Sequence, residues 1–381
     1  MLRAIVDRQT ILNPLLKIQT VVDKKTTMHL LNNVLITTNG DKLVLEATDL
    51  EISYKGEFPA EIEEHGEITV NARRFYEIIK ELPTDQFLLE QLPEEWIRIN
   101  IGEKGEYKLG GLPTDNFPRF TFFEKVSHFE LEPAQLRNLL KKTVIAVSTD
   151  ESKYALTGLL FEVEGETGKL RTVGSDSHRL NLKEIRLEDE DAKTDVSIII
   201  PRKGVLEMIK ILESPSVRGE EGEKKAVLST DNKFILLTIG DEHLNIRLLD
   251  GSYPDYKLIL PEERIRFLYF DRKEMLSVFK RVSIVSPDPD IKSVRATFSP
   301  DEAIIESFSK ESSDAKEKIP IEYEGEEFQI ALNARYMIET LGVMESDKIR
   351  LTLNDDESPC ILEGDSDPGF LALIMPMTLE E

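Results

Sequence analysis

Apolar residues along the chain fall into three copies of one helical frame. Val6, Ile11 and Leu15, then Leu131, Leu136 and Leu140, then Phe270, Met275 and Phe279 share one spacing, apolar-x4-apolar-x3-apolar. That spacing returns apolar side chains to a single face of a helix. An acidic residue suited to a helix start follows the first position of each copy: Asp7, Glu132 and Asp271. A second helix family opens at Asn71 (NARRFYEIIKEL), Pro201 (PRKGVLEMIKIL) and Asn333 (NARYMIETLGVM), with starts 130 and 132 residues apart. The pattern therefore predicts six helices, over 7–22, 71–82, 132–148, 201–213, 271–285 and 333–344.

Between the helices lie short alternating or apolar runs bounded by turn residues. LVLEATD from Leu43, LLFEVEGE from Leu159 and AIIESFSK from Ala303 read as strands of hairpins and meanders. YKLGGLP, LNIRLLDG and FLALIMPM close the three copies with further strands. Two helix families recurring at one period, with strand blocks between them, indicate a threefold internal repeat. The expected fold class is α+β, each repeat setting two helices on antiparallel sheets, with domains at 1–125, 126–256 and 257–381.

Charge alters the picture more than composition does. The chain carries −24, which by itself argues against nucleic acid, since phosphate binding rests on Lys and Arg. The six predicted helices, however, hold 16 Lys and Arg against 9 Asp and Glu, an excess of +7, leaving −31 for the remainder. Positive charge segregated onto repeated helices suggests a shared basic face that meets duplex phosphates without reading sequence. Its members would be Lys25, Arg73, Arg74, Lys80, Arg137, Lys141, Lys142, Arg202, Lys203, Lys210, Arg272, Lys273, Lys280 and Arg281. No aromatic residues interleave with them as a single-strand platform requires.

Catalysis finds little support. Asp176-Ser177-His178-Arg179 holds the residue types of a hydrolase, but neighbours in sequence seldom converge as a triad does. No G-x-S-x-G elbow, Walker loop or dinucleotide fingerprint occurs. EEHGE around His65 is a weak metal candidate, and the single cysteine, Cys360, forms no internal disulfide and no Cys cluster. No cofactor, metal or catalytic residue is expected. The opening MLRAIVDRQT lacks a basic region followed by an apolar stretch, and no apolar run spans a membrane, so the expected location is the cytoplasm.

Seven segments carry a resemblance: ATDLEIS (47–53), GLPTDNFP (111–118), RTVGSDSHRL (171–180), IIPRKGV (199–205), LLDGSYPDY (248–256), ALNARYMIETL (331–341) and MPMTL (375–379). In that order, over essentially the whole chain, the sequence resembles the bacterial DNA polymerase III beta subunit family, the DNA sliding clamps. The resemblance implies half of a ring, completed by a second copy in a head-to-tail homodimer, that encircles duplex DNA as a processivity factor. It implies partners that dock through a short peptide motif: the polymerase III catalytic subunit, the clamp loader, and other polymerases and repair proteins. Their pocket would comprise Leu156, Ser175, His178, Arg179, Leu180, Pro254, Leu258, Ile259, Asn333, Tyr336, Met375, Pro376 and Met377. Taken without the family, Met-Pro-Met reads as a buried strand end. Tyr107 of one copy would face Ile284 and Val285 of the other.

Geometry agrees with two copies. Helices about 10 Å apart and about 10 Å wide leave almost no bore when six close a circle. Twelve leave a bore near 28 Å and eighteen about 47 Å; of the three, twelve suit a duplex with a water layer. Departures from the family pattern are Ser177 before the His, Thr378 after Met-Pro-Met, His29 where Pro is common, and the added Glu380 and Glu381.

Overall fold

The computed structural model describes residues 1–22, 28–124, 127–187, 194–214, 218–219, 222–261, 264–286, 293–308 and 314–378. Six α-helices appear where the apolar period places them: α1 Arg8–Val21, α2 Ala72–Glu81, α3 Pro133–Val144, α4 Arg202–Leu212, α5 Arg272–Val282 and α6 Ala334–Val343. Side-chain caps start four of them. Asp7 accepts from Thr10 N, Asn71 from Arg74 N, Asp271 from Glu274 N and Asn333 from Arg335 N, satisfying amides that a helix start leaves open. α3 ends at Val144 rather than 148, where the chain turns before the 3-10 segment Glu151–Thr157.

Apart from the short strands Glu61–Glu64, Arg218–Gly219, Gly222–Glu223 and Glu322–Tyr323, one element order recurs three times: strand, helix, three strands, strand, helix, three strands. Each copy thus supplies two sets of four antiparallel strands and two helices, the α+β arrangement expected. The frame residues Val6, Ile11 and Leu15, Leu136 and Leu140, and Phe270, Met275 and Phe279 are all buried. No helix among the described residues is long and apolar enough to cross a membrane.

The chain forms two compact units, Met1–Arg137 with Lys203–Leu248, and Asn138–Arg202 with Leu249–Glu381. In the first, a 13-stranded sheet is made continuous by Glu242–Arg247, the last strand of the middle copy. That strand runs antiparallel to Ile52–Pro59 of the first copy, with Glu242 opposite Gly56 and Ile246 opposite Ile52. In the second unit the same joint recurs. Phe370–Ile374, the last strand of the third copy, pairs with Arg179–Arg186, Phe370 opposite Lys183 and Ile374 opposite Arg179. The second unit also holds a four-stranded sheet that ends on Asp314–Pro320.

Candidate functional site

The expected partner pocket falls within the second unit, around the turn between Lys169–Ser175 and Arg179–Arg186. Asp176 builds that turn: its Oδ1 accepts from the backbone N–H groups of His178 and Arg179, each at 3.0 Å. Ser177 adopts φ +78°, the left-handed region that favours glycine. The carboxylate of Asp176 thus holds backbone and the Arg179 Nε (3.0 Å), not the imidazole of His178, and the hydrolase reading fails on geometry. Among the described residues no group of three His, Cys, Asp or Glu could hold a metal.

Beside the turn, the last strand runs out toward the C-terminus. Met375 N–H donates to His178 O (2.8 Å) and Met377 N–H to Ala331 O (2.9 Å). Met375 packs on an apolar cluster of Leu160, Val173, Leu180, Tyr256 and Leu373. Tyr256 and Leu260 of that cluster flank Leu258 and Ile259, which stand 83% and 47% exposed on the turn Tyr256–Ile259. Pro254 is exposed, and Leu156, Pro376 and Met377 are half-buried. A leucine and an isoleucine at such exposure beside a partly open methionine make an adaptable apolar surface.

Three expected pocket residues line a neighbouring polar cavity of about 380 Å³: His178, Arg179 and Tyr336. Lys153, Arg335 and Glu339 also line it and were missed from sequence, where isolated charges carry no signal. Arg179 corrects an expectation. The residue is 5% exposed, and its guanidinium donates to Asp176, to Glu339 Oε2 (2.6 Å) and to Ile145 O (2.6 Å) while lying 4.3 Å from the Tyr336 ring centroid. Three of its five N–H donors thus hold the turn and its surroundings, which leaves its role mainly in shaping the cavity wall. Asn333 is likewise buried as the α6 cap, and Ser175 is buried with its hydroxyl donating to Arg179 O (2.8 Å).

The helix cations divide by environment. Arg73, Arg74, Lys80, Lys141, Lys203, Lys210, Lys273, Lys280 and Arg281 are exposed, while Arg137 and Arg202 are half-buried. Several hold carboxylates close by, Arg73 with Glu77 (2.8 Å), Lys210 with Glu207 (2.8 Å) and Lys203 with Asp49. Of these, only the Arg73–Glu77 pair is exposed on both sides and exchanges easily for phosphate; the side chains of Glu207 and Asp49 are buried beneath their lysines. Lys142 is the clear correction: one helix position, about 100°, on from exposed Lys141, it is 2% exposed and paired with buried Asp367. Arg272 is half-buried and donates to the carbonyls of Ser346 (2.9 Å) and Leu341 (3.1 Å), at and beyond the end of α6. Lys25 lies outside the described residues, as do Glu380 and Glu381.

Of the residues expected at a copy-to-copy seam, Tyr107 is 41% and Ile284 78% exposed, and Val285 is half-buried. Tyr107 lies in Glu106–Leu112, which pairs along one side with Trp96–Asn100. On its other side, among the described residues, strand pairing reaches only Gly111 and Leu112, which face Val70 and Thr69.

Comparison with known proteins identifies the family over nearly the full length. Residues 2–121, 130–255 and 257–378 match the N-terminal, central and C-terminal domain models of the DNA polymerase III beta subunit. The beta sliding clamp of Pseudomonas putida is 33% identical over 98% of this chain and 99% of its own. The crystal structure of the Pseudomonas aeruginosa DNA polymerase sliding clamp superposes with a TM-score of 0.88 at 28% identity, covering 100% of both chains. That of the Bartonella birtlesii sliding clamp bound to griselimycin gives 0.91 at 29% identity, covering 99% of this chain and 100% of that one. The chain belongs to the DNA polymerase III beta subunit family, the sliding clamps, whose role in replication is that of a non-catalytic processivity subunit.

Proposed function

We propose that two copies of this chain close head to tail into a ring around duplex DNA, and that polymerases, the clamp loader and repair proteins dock by short peptides at the C-terminal groove. The observation that carries the ring is a pair of unused sheet edges. Twice within the chain, the last strand of one copy of the repeat pairs with the third of the following strands in another copy. The remaining last strand, Glu106–Leu112, keeps most of one edge free, and the remaining acceptor, Asp314–Pro320, pairs among the described residues only with Glu302–Phe308. Free edges invite pairing, and a second copy supplies both partners.

Exposed cations on α2, α3, α4 and α5 supply loose contact with phosphate, while the overall charge of −24 keeps the chain off DNA elsewhere. The apolar surface of Leu258, Ile259 and Met375 supports peptide docking, as adaptable anchors for apolar side chains. The three domains would divide near residues 125 and 256. Loading the clamp on circular DNA and then linearising it tests the ring: retention on the circle and loss from the linear form is expected. Equal retention on both would overturn it.

A further inference from the structure

The tenth residue of the first helix in each copy of the repeat is a cation: Lys17 in α1, Lys142 in α3 and Arg281 in α5. In the first two copies it seals the sheet joint. Lys17 reaches Glu242 Oε2 (2.5 Å), at the head of the strand that joins the sheet beside Tyr54, and Tyr54 donates to the same oxygen (2.7 Å). Lys142 reaches Asp367, in the hairpin that leads into Phe370–Ile374. Those side chains are at most 8% exposed. Arg281 differs. It grips Glu317 with two donors, Nε to Oε1 at 2.8 Å and an η nitrogen to Oε2 at 2.5 Å, yet the two side chains are 54% and 32% exposed.

The two complete joints set the register of the third. Leu112, Leu249 and Met377 pair with Thr69, Ile199 and Ala331, equivalent positions ahead of α2, α4 and α6, so they are equivalent in turn. Seven residues earlier stand Gly105, Glu242 and Phe370. Across the joint, Pro59, Arg186 and Pro320 are equivalent by their hairpin partners Lys42, Lys169 and Glu302, which puts Gly56, Lys183 and Glu317 in one position. Since Glu242 faces Gly56 and Phe370 faces Lys183, Gly105 must face Glu317. The positions that follow pair Glu106 with Lys316, Tyr107 with Ala315, and Lys108 with Asp314, two opposite-charge pairs about a tyrosine and a small residue.

We infer that Arg281 and Glu317 are the third sealing pair, contributed whole by one chain and covered by the Gly105 hairpin of a second copy, where the absence of a side chain leaves room for them. The inference rests on the ring reading and assigns Arg281 to the seam rather than to DNA. At Gly105 a side chain would meet nothing within 4 Å in the single chain, so the space is open for a neighbour. Covered in this way, the pair loses water on both sides, and removing either member strands a charge.

Light scattering and sedimentation over a dilution series, on wild type, Arg281→Met, Glu317→Gln and the reversed pair Arg281→Glu with Glu317→Arg, test it. Each single change should weaken dimerisation about tenfold or more, and the reversed pair should recover most of the loss. Urea midpoints in a monomeric background should barely move, because there the pair is open to water. Tyr107→Cys with Ala315→Cys in one chain should cross-link between copies on oxidation; buried Cys360 stays out of the reaction. A dimer whose dissociation constant ignores both single changes overturns the inference while the ring reading stands, and so does a dimer that fails to cross-link. Wild type that remains monomeric at every concentration overturns both.

Discussion

Lys141 and Lys142 adjoin in sequence and part in space. Lys141 is exposed, whereas Lys142 points inward to Asp367, whose carboxylate also accepts from Ser346 Oγ (2.6 Å) and from the N–H groups of Ser346 and Glu345. Changing Lys142 to Met should cost about 3–5 kcal/mol, because a buried carboxylate loses its cation. Changing Lys141 to Glu should shift stability by no more than about 0.5 kcal/mol and instead weaken DNA loading. Urea unfolding and loading assays on the two variants separate these roles; equal destabilisation would remove the distinction. Burial by itself would raise the Asp367 pKa, but the bonds from Lys142, Ser346 and the backbone outweigh it and hold it below the ordinary aspartate value. A carboxyl depressed in the fold contributes stability above its unfolded pKa and loses it as pH falls through the folded one. Asp367→Asn should therefore flatten the acid side of the stability curve, and an unchanged acid limb would show that Asp367 does not titrate with unfolding. Sequence could not part the two lysines, since the partner that draws Lys142 inward lies 225 residues away.

Helices were legible because their signal is local. Apolar period and caps at Asp7, Asn71, Asp271 and Asn333 lie within a few residues of what they determine; the ends of α3 and α5 fell short of expectation, α5 giving way to the 3-10 turn Ser283–Val285. Strands were legible as runs but not as neighbours: nothing in LNIRLLDG announces that Leu244 lies opposite Tyr54. The groove shows the same division, with Met375 recognised by motif while the bonds of Arg179 to Glu339 and Ile145 are contacts that no motif records. The C-terminal strand offers a direct test. A chain ending at Ile374 forfeits the bonds from Met375 N–H to His178 and from Met377 N–H to Ala331, and the packing of Met375 on Leu180 and its neighbours. Two hydrogen bonds and one partly buried side chain amount to about 2–4 kcal/mol, which a large domain core tolerates. The truncated chain should fold and dimerise yet lose calorimetric affinity for peptides with a Gln and paired apolar anchors. Retained binding in a folded truncation would take Met375, Pro376 and Met377 out of the groove.

At the scale of the whole molecule, function rests on closure rather than on affinity, and closure rests on a small seam. Ile284, at 78% exposure, follows α5 directly in the turn Ser283–Val285. An apolar side chain so exposed costs the single chain little when replaced, so changing Ile284 and Val285 to Asp should leave the urea midpoint of the fold nearly where it was. Between two copies the same change buries carboxylates against an apolar partner surface near Tyr107, a cost of several kcal/mol that the seam would meet twice in one ring. The variant should therefore sediment as a folded monomer at concentrations where wild type is dimeric. It should also slide off circular DNA as fast as off linear DNA, although every exposed cation of α2, α3 and α4 is intact. Separating these two readouts matters. A monomer that still stays on circular DNA would mean that phosphate contact, not enclosure, holds the protein there; a variant that remains dimeric would place the seam elsewhere than Ile284 and Val285.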